Sequence, residues 1–497
     1  MRSENQLYLT VFLLAGLTGC AVGPKYQRAG VAIPPGYKEI AGGNDQWKVA
    51  SPNDGVLKGK WWELFGDPQL NKLEEMVSGS NQNVKQAEAR YRQARALVAS
   101  SRAGYFPTIG VNPSLTESSR GSAAAGGNSG VSTRATTTAS FSIPFSASWE
   151  PDLWGRVRLW VEGATASAQA TAADLENVRL SMQTQLAVDY FNLLGLDMQT
   201  KLLADTMAAY TRALQLTTDR YNGGVASKAD VAQARTQLET TRAEMTDLGV
   251  SRAQFGHAIA VLTGQPPSSL TLAPGRIAGP PPPIPVGVPS QLLERRPDIA
   301  SAERQTAAAN ADIGLARAAY FPTLNLSAGG GLQAGNIVDL FTWPARFWSV
   351  GPSLSQTLFD FGRRRAQLQQ TEAAYDGTVA AYRQTTLSAF QEVEDNLAAL
   401  RILAVEADQV DVAVKAAEES LRLELDRYKA GTDSYLNVIT TQTIALGNER
   451  SAVQVLQRRM VAAVQLVGAL GGGWNASTLP APADLKRAQS AQPAPAN

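Results

Sequence analysis

One cysteine and one histidine, Cys20 and His257, are all that this 497-residue chain offers for thiol or imidazole chemistry. A single histidine rules out a His-Glu-x-x-His metal site, and structural zinc sites built on several Cys and His go with it. No GxxxxGK[ST] phosphate loop occurs. No disulfide can form within the chain. His257 falls in a long proline-free stretch that reads as helix, so it is expected to be structural. The expectation is a protein that is not an enzyme and takes no cofactor and no metal. A net charge of +1 gives no basis for nucleic-acid binding.

The polar chemistry that does repeat is non-covalent. Arg220-Tyr221-Asn222-Gly223-Gly224-Val225-Ala226-Ser227 returns 207 residues later as Arg427-Tyr428-Lys429-Ala430-Gly431-Thr432-Asp433-Ser434. Each copy pairs a fixed positive charge and an aromatic hydroxyl with a glycine that can take a left-handed turn. Ser227 or Asp433 follows, able to accept from the first free N–H groups of a returning helix. These segments read as the tips of two helical hairpins.

The arms that must hold those tips are long. No proline occurs between Pro151 and Pro266 or between Pro352 and Pro480, and proline is the strongest helix breaker. An arm from Arg156 to Tyr221 would span about 100 Å at 1.5 Å per residue. Stripes such as Phe390, Val393, Leu397 and Leu400, and Leu186, Tyr190 and Leu193, step by three and four, as knobs of packed helices do.

The repeat extends beyond the tips. Arg102-Ala103-Gly104-Tyr105-Phe106-Pro107-Thr108 parallels Arg317-Ala318-Ala319-Tyr320-Phe321-Pro322-Thr323 at a spacing of 215, and Trp154-Gly155-Arg156 parallels Phe361-Gly362-Arg363 at 207. The first half therefore carries eight extra residues between these markers, an insertion expected in a loop. Between the markers the period changes to two. Phe141, Ile143, Phe145, Ala147 and Trp149 alternate with serines and Pro144, the pattern of a strand with one apolar face. Ile109, Val111 and Leu115 give a second strand, Leu324, Leu326 and Ala328 a third, and Trp348, Val350 and Leu354 a fourth. Strands of this length and alternation fit an outer-membrane barrel wall. Four strands cannot close a barrel, and open edges in lipid leave backbone groups unpaired, so several chains must share one.

The N-terminus carries the short apolar core Leu7–Leu14 of a signal peptide. Leu17-Thr18-Gly19-Cys20 resembles the bacterial lipobox, in which the cysteine is acylated, and Ala21 favours sorting to the outer membrane. One lipid anchors a chain end without spanning anything.

Taken together these segments resemble the outer-membrane efflux factor family, the TolC-like ducts, and within it the lipid-anchored outlets of resistance-nodulation-division drug pumps. The resemblance covers nearly all of residues 17–475. It is carried by Cys20-Ala21-Val22-Gly23-Pro24-Lys25-Tyr26, Trp61-Trp62 with Phe65-Gly66-Asp67-Pro68, Leu292-Leu293-Glu294-Arg295-Arg296-Pro297-Asp298-Ile299 with Ala302-Glu303, the paired Tyr-Phe-Pro markers and both Arg-Tyr tips. It implies a mainly helical chain with two structural repeats, assembled as a homotrimer with a twelve-stranded barrel continuous with a twelve-helix periplasmic tube. It implies passive export of drugs or other small molecules, with an inner-membrane pump and a periplasmic adaptor as partners and outer-membrane lipid around the barrel. A type I protein-secretion outlet is the alternative; a structural coiled-coil surface lipoprotein is a weaker one.

The resulting domain plan is a signal peptide (1–19), an extended strap (20–60), a first repeat (61–275, β-hairpin 106–150, helical hairpin 155–263), a proline-rich linker (276–290), a second repeat (291–475, β-hairpin 321–359, helical hairpin 363–470) and a disordered tail (476–497). Site residues implied by the resemblance are Cys20 for lipidation and, at the periplasmic tip and gate, Arg220, Tyr221, Gly224, Asp230, Arg427, Tyr428, Gly431 and Leu436. Where many family members carry an aspartate four residues after the leucine matching Leu436, this chain has Thr440.

Overall fold

A computed structural model describes residues 22–40, 59–120 and 136–486. Cys20, the signal peptide, the turn between the first two long strand segments and the last residues of the tail lie outside the described residues. The helices are α1 (Pro68–Ser80), α2 (Gln82–Ala103), α3 (Arg156–Asn222), α4 (Lys228–Leu262), α5 (Leu292–Arg295), α6 (Pro297–Ala318), α7 (Arg363–Ala430), α8 (Tyr435–Ala469) and α9 (Pro482–Lys486). The strands are β1 (Thr108–Val111), β2 (Ser114–Arg120), β3 (Thr136–Trp149), β4 (Thr323–Ala334) and β5 (Arg346–Ser355).

α3 has 67 residues and α7 has 68, each about 100 Å of helix at 1.5 Å per residue. Each turns back through a tip into a 35-residue helix, α4 or α8. No helix among the described residues is long and apolar enough to cross a membrane.

β1 and β2 are one strand interrupted at Asn112-Pro113. Both pair with β3, and the register runs through the gap unchanged, Val111 opposite Phe145 and Ser114 opposite Ser142. Pro113 has no N–H to donate, which breaks the ladder there. The order is β1/β2–β3–β4–β5, antiparallel throughout, with both outer edges unpaired among the described residues. This register stacks the alternation seen in the sequence. Ile109, Ala147, Ala328 and Val350 lie in one row, and Val111, Phe145, Gly330 and Trp348 in the next. One face is therefore apolar and the other is lined by Ser, Thr and Gly. Trp348 is 82% exposed and Ile109 78% on this apolar face. β2 and β3 keep the two repeat spacings up to Arg120 and from Thr136, so the eight extra residues fall between these two positions, outside the described residues.

Halfway along the tube the two halves form a collar. Its core gathers Trp61, Leu70, Leu186, Tyr190, Leu193, Ile259, Ile299, Tyr382, Leu397 and Leu466. Asp67 caps α1 by accepting from Gln69 and Leu70 N–H and also accepts the Tyr190 hydroxyl at 2.8 Å. Glu74 is fully buried with neither carboxylate oxygen hydrogen-bonded, and burial pushes its carboxyl up to about 9. It is neutral at pH 7.

The collar contains a joint made twice. Asn81 caps α2 and donates its amide to the Leu262 carbonyl at the end of α4. Arg296, 215 residues later, precedes α6 and donates to the Ala469 carbonyl at the end of α8. Beside each joint a left-handed glycine, Gly264 or Gly471, lies where a Cβ would stand 2.4 Å from the Ser80 carbonyl oxygen or 2.0 Å from that of Arg295. Only glycine fits either place. α2 thus continues the line of α4, and α6 that of α8.

The strap runs extended from Val22, whose N–H donates to the Trp154 carbonyl, past Tyr26 on Glu303, to Lys38 and Glu39 on Glu394. The linker lies on the collar with Ile277, Ile284 and Val286 buried. Residues 476–486 depart from the expected disordered tail. Ala476–Thr478 forms a turn, Gln169 donates to the Pro480 carbonyl at 3.0 Å, and Leu485 is buried against Val98, Ala164 and Ala168. One buried leucine holds a segment too short to show a period.

Candidate functional site: the paired hairpin tips

At the first tip α3 ends on Asn222. Gly224 takes φ 74°, and the Val225 and Ala226 N–H groups both donate to the Arg220 carbonyl. Ser227 then starts α4 with a reciprocal cap: Asp230 N–H donates to Ser227 Oγ at 3.1 Å, and Ser227 N–H to Asp230 Oδ2 at 2.9 Å. Asp230 is thus engaged in its own hairpin's cap. Tyr221 is exposed.

At the second tip Gly431 takes φ 79°, and Thr432 N–H donates to the Arg427 carbonyl at 3.1 Å. α8 starts at Ser434, whose side chain caps nothing. Asp433 instead accepts from Ser434 N–H at 2.7 Å and from the Asn437 amide at 2.6 Å. These bonds, the Ser434 N–H first, hold its carboxyl below the usual range. Leu436 is exposed, and Thr440 Oγ1 donates to the Leu436 carbonyl.

The tips meet through one aromatic residue. Tyr428 is 4% exposed and packs against Ala234, Tyr435 and Val438. The Arg220 guanidinium lies 4.6 Å from the Tyr428 ring centre and its Nη1 donates to the Tyr428 carbonyl. The Tyr428 hydroxyl donates to Thr217 Oγ1 at 3.3 Å, joining α7 to α3. Tyr435 packs 5.3 Å from the Tyr428 ring, and burial pushes its hydroxyl up to about 12.

Of the residues expected at the tip, the fold brings Arg220, Tyr428 and Gly431 together and places Tyr221, Asp230 and Leu436 apart from them. Arg427 turns away from α3. It pairs with Glu424 at 3.0 Å and with Asp433 at 3.6 Å, both in its own hairpin. Sequence reasoning missed Thr217 and Tyr435. Thr217 stands three residues before Arg220, on the same helix face, and that spacing was a usable signal. The chemistry here is a cation over a ring with hydrogen bonds around it, a latch between helices.

The outer membrane efflux protein family matches residues 75–265 and 288–472. The chain is similar to the pyoverdine export outer membrane protein OpmQ of Pseudomonas aeruginosa, 31% identical over 477 residues that cover 95% of this chain and 98% of the relative. It is also similar to the toluene efflux pump outer membrane protein TtgI of Pseudomonas putida, 30% identical over 478 residues covering 94% and 98%. Among solved structures, the outer-membrane channel OprN superposes with a TM-score of 0.83 at 30% identity, over 92% of this chain and all of that one. The Campylobacter jejuni CmeC channel gives 0.85 over 92% and 96%, which at 21% identity shows the fold alone. These are trimeric channels in which a barrel continues into a helical tube, and this chain has their fold. It works as an outer-membrane efflux channel reaching into the periplasm, not as an enzyme. The sheet, the long paired helices and the family match over both repeats make the chain a member of the outer membrane efflux protein family.

Proposed function

We propose that this chain is the lipid-anchored outlet of a three-part efflux system for small organic molecules, with the paired tips as its periplasmic gate. The carrying observation is the four-row sheet with two open edges and one exposed apolar face, mounted on helices about 100 Å long. Open edges are intolerable in lipid, so copies of the chain complete the barrel. The path for cargo is the bore they enclose.

A periplasmic adaptor docks on the tips and an inner-membrane pump supplies the energy. The exposed first turn supports this, since Tyr221 and Val225 offer apolar surface there. Opening requires the Arg220–Tyr428 latch to part. Lipidation at Cys20 is supported by the strap: Val22, the first described residue, is tied to Trp154, five residues past the end of β3. The relatives' names concern pyoverdine and toluene, and small organic cargo follows from that likeness.

The test is drug and solvent sensitivity in cells lacking their own outlet, with labelled palmitate incorporation scored in parallel. Wild-type chain should restore resistance and carry the label, and Cys20→Ser should lose the label. Absence of channel conductance for purified protein in planar bilayers would refute the outlet.

A further inference from the structure

Next to the latch the two hairpins leave a cavity of about 650 Å³ between α3, α7 and α8, a size that holds a small organic molecule. α8 packs against both α3 and α7, so the cavity lies where the hairpins join, and all of its walls come from one chain. Its apolar walls are Leu202 and Leu216 of α3, Leu421 and Leu425 of α7, and Leu446 of α8. Tyr210, Tyr435 and the latch residue Tyr428 add aromatic surface.

Two acceptors in this lining lack partners. Gln442 is 4% exposed, and its Oε1 receives no hydrogen bond. A buried acceptor left unpaired carries the cost of its lost hydration. Glu449 also lines the cavity. It stands seven residues after Gln442 on the same face of α8, about 10 Å away at 1.5 Å per residue. Among the described residues no cation pairs with Glu449, and burial, followed by the nearby Glu418, pushes its carboxyl up. The other charged groups in the lining are occupied or face water: Asp205 pairs with Lys201 at 3.0 Å, Lys429 pairs with Asp426 at 3.5 Å, and Arg212 is exposed.

We infer that this cavity binds an elongated cationic amphiphile, with an ammonium on Glu449, an apolar body along Leu446 and the facing leucines, and a donor at the far end reaching Gln442 Oε1. A neutral molecule would leave Glu449 without its countercharge, and an anion would meet two acceptors. On the gate reading proposed above, on which this inference rests, opening parts α7 and α8 from α3 and pulls the cavity's walls apart. A molecule held by both walls binds the closed tips better than the open ones, and so biases the channel shut.

The probe is 8-aminooctan-1-ol, titrated by calorimetry into full-length protein in lipid nanodiscs. It should show one saturable site per chain, at least tenfold tighter than 1,8-octanediol, which has the same length and no charge. Glu449→Gln should erase that preference. Octylamine, which lacks the hydroxyl, should bind the wild type several-fold more weakly than the amino alcohol and should match it on Gln442→Leu. No saturable binding, or a preference for the charged probe that survives Glu449→Gln, overturns the site. Equal binding of octylamine and the amino alcohol to the wild type removes Gln442 from it. In planar bilayers the amino alcohol should lower the frequency of openings at least threefold, and Glu449→Gln should abolish the effect. Binding with an unchanged opening frequency overturns the regulation and leaves the site standing. If ligand-free Tyr428→Ala conducts as the wild type does, the gate reading fails instead, whatever the titration shows.

Discussion

The two tips descend from one repeated segment yet do opposite work. The first is a self-contained turn, with Gly224 in the open and Ser227 and Asp230 bonded to each other. The second is tied inward, with Tyr428 buried under Arg220 and beside Tyr435. Equal sequence steps, Arg220-Tyr221 and Arg427-Tyr428, give one exposed tyrosine and one buried one. A turn that holds itself can stay put while a partner docks on it. A turn held by its neighbour can be released. The collar joints behave differently: Asn81 to the Leu262 carbonyl and Arg296 to the Ala469 carbonyl make the corresponding bond in both halves. The repeats differ at the tips and persist where the backbone is crowded.

The largest expected break in this contrast is Tyr428→Ala. Loss of a buried aromatic costs about 3–5 kcal/mol, and Tyr221→Ala, at an exposed site, should cost far less. Amide exchange in the second tip should rise strongly and closed-channel conductance should increase; equal effects of the two substitutions would erase the distinction.

Next is Arg220→Ala against Arg427→Ala. Arg220 gives a charged hydrogen bond and a ring contact, about 1.5–3 kcal/mol. Arg427 is largely exposed and holds only pairs in its own hairpin, each worth under about 1 kcal/mol. Bilayer recordings should show the leakier channel for Arg220→Ala; the reverse order would mean that Arg427 is the bond that holds the gate.

A smaller contrast lies in the caps. Ser227→Ala should cost about 1 kcal/mol, whereas Ser434→Ala should be near neutral because that side chain caps nothing. Exchange at the first turn of each returning helix checks this. An effect of similar size is expected from Tyr428→Phe, which removes only the 3.3 Å bond to Thr217, about 0.5–1.5 kcal/mol. If its conductance matched that of Tyr428→Ala, the hydroxyl rather than the ring would be the latch.

Much of this was legible in the chain itself. Proline-free arms, a period of two between the Tyr-Phe-Pro and Gly-Arg markers, and glycines at both tips follow from local backbone preferences, and they place helices, strands and turns. The constant repeat spacings also placed the inserted residues between β2 and β3. What stayed hidden depends on neighbours distant in sequence. Nothing near Leu485 announces that it will be buried against Val98 and Ala168. Asp433 looks like a cap, but the N-cap position falls one residue later, at Ser434, whose side chain caps nothing, and the turn before it is closed by Gly431 and Thr432.

The sequence by itself determined the elements, the two-fold repeat and the apolar face of the sheet, because these rest on side-chain period and backbone sterics. Only the tertiary structure decided which arginine meets which tyrosine. Arg220 and Arg427 are equivalent as residues, and the packing of α7 and α8 against α3 brings Tyr428 under the first and leaves the second to its own hairpin.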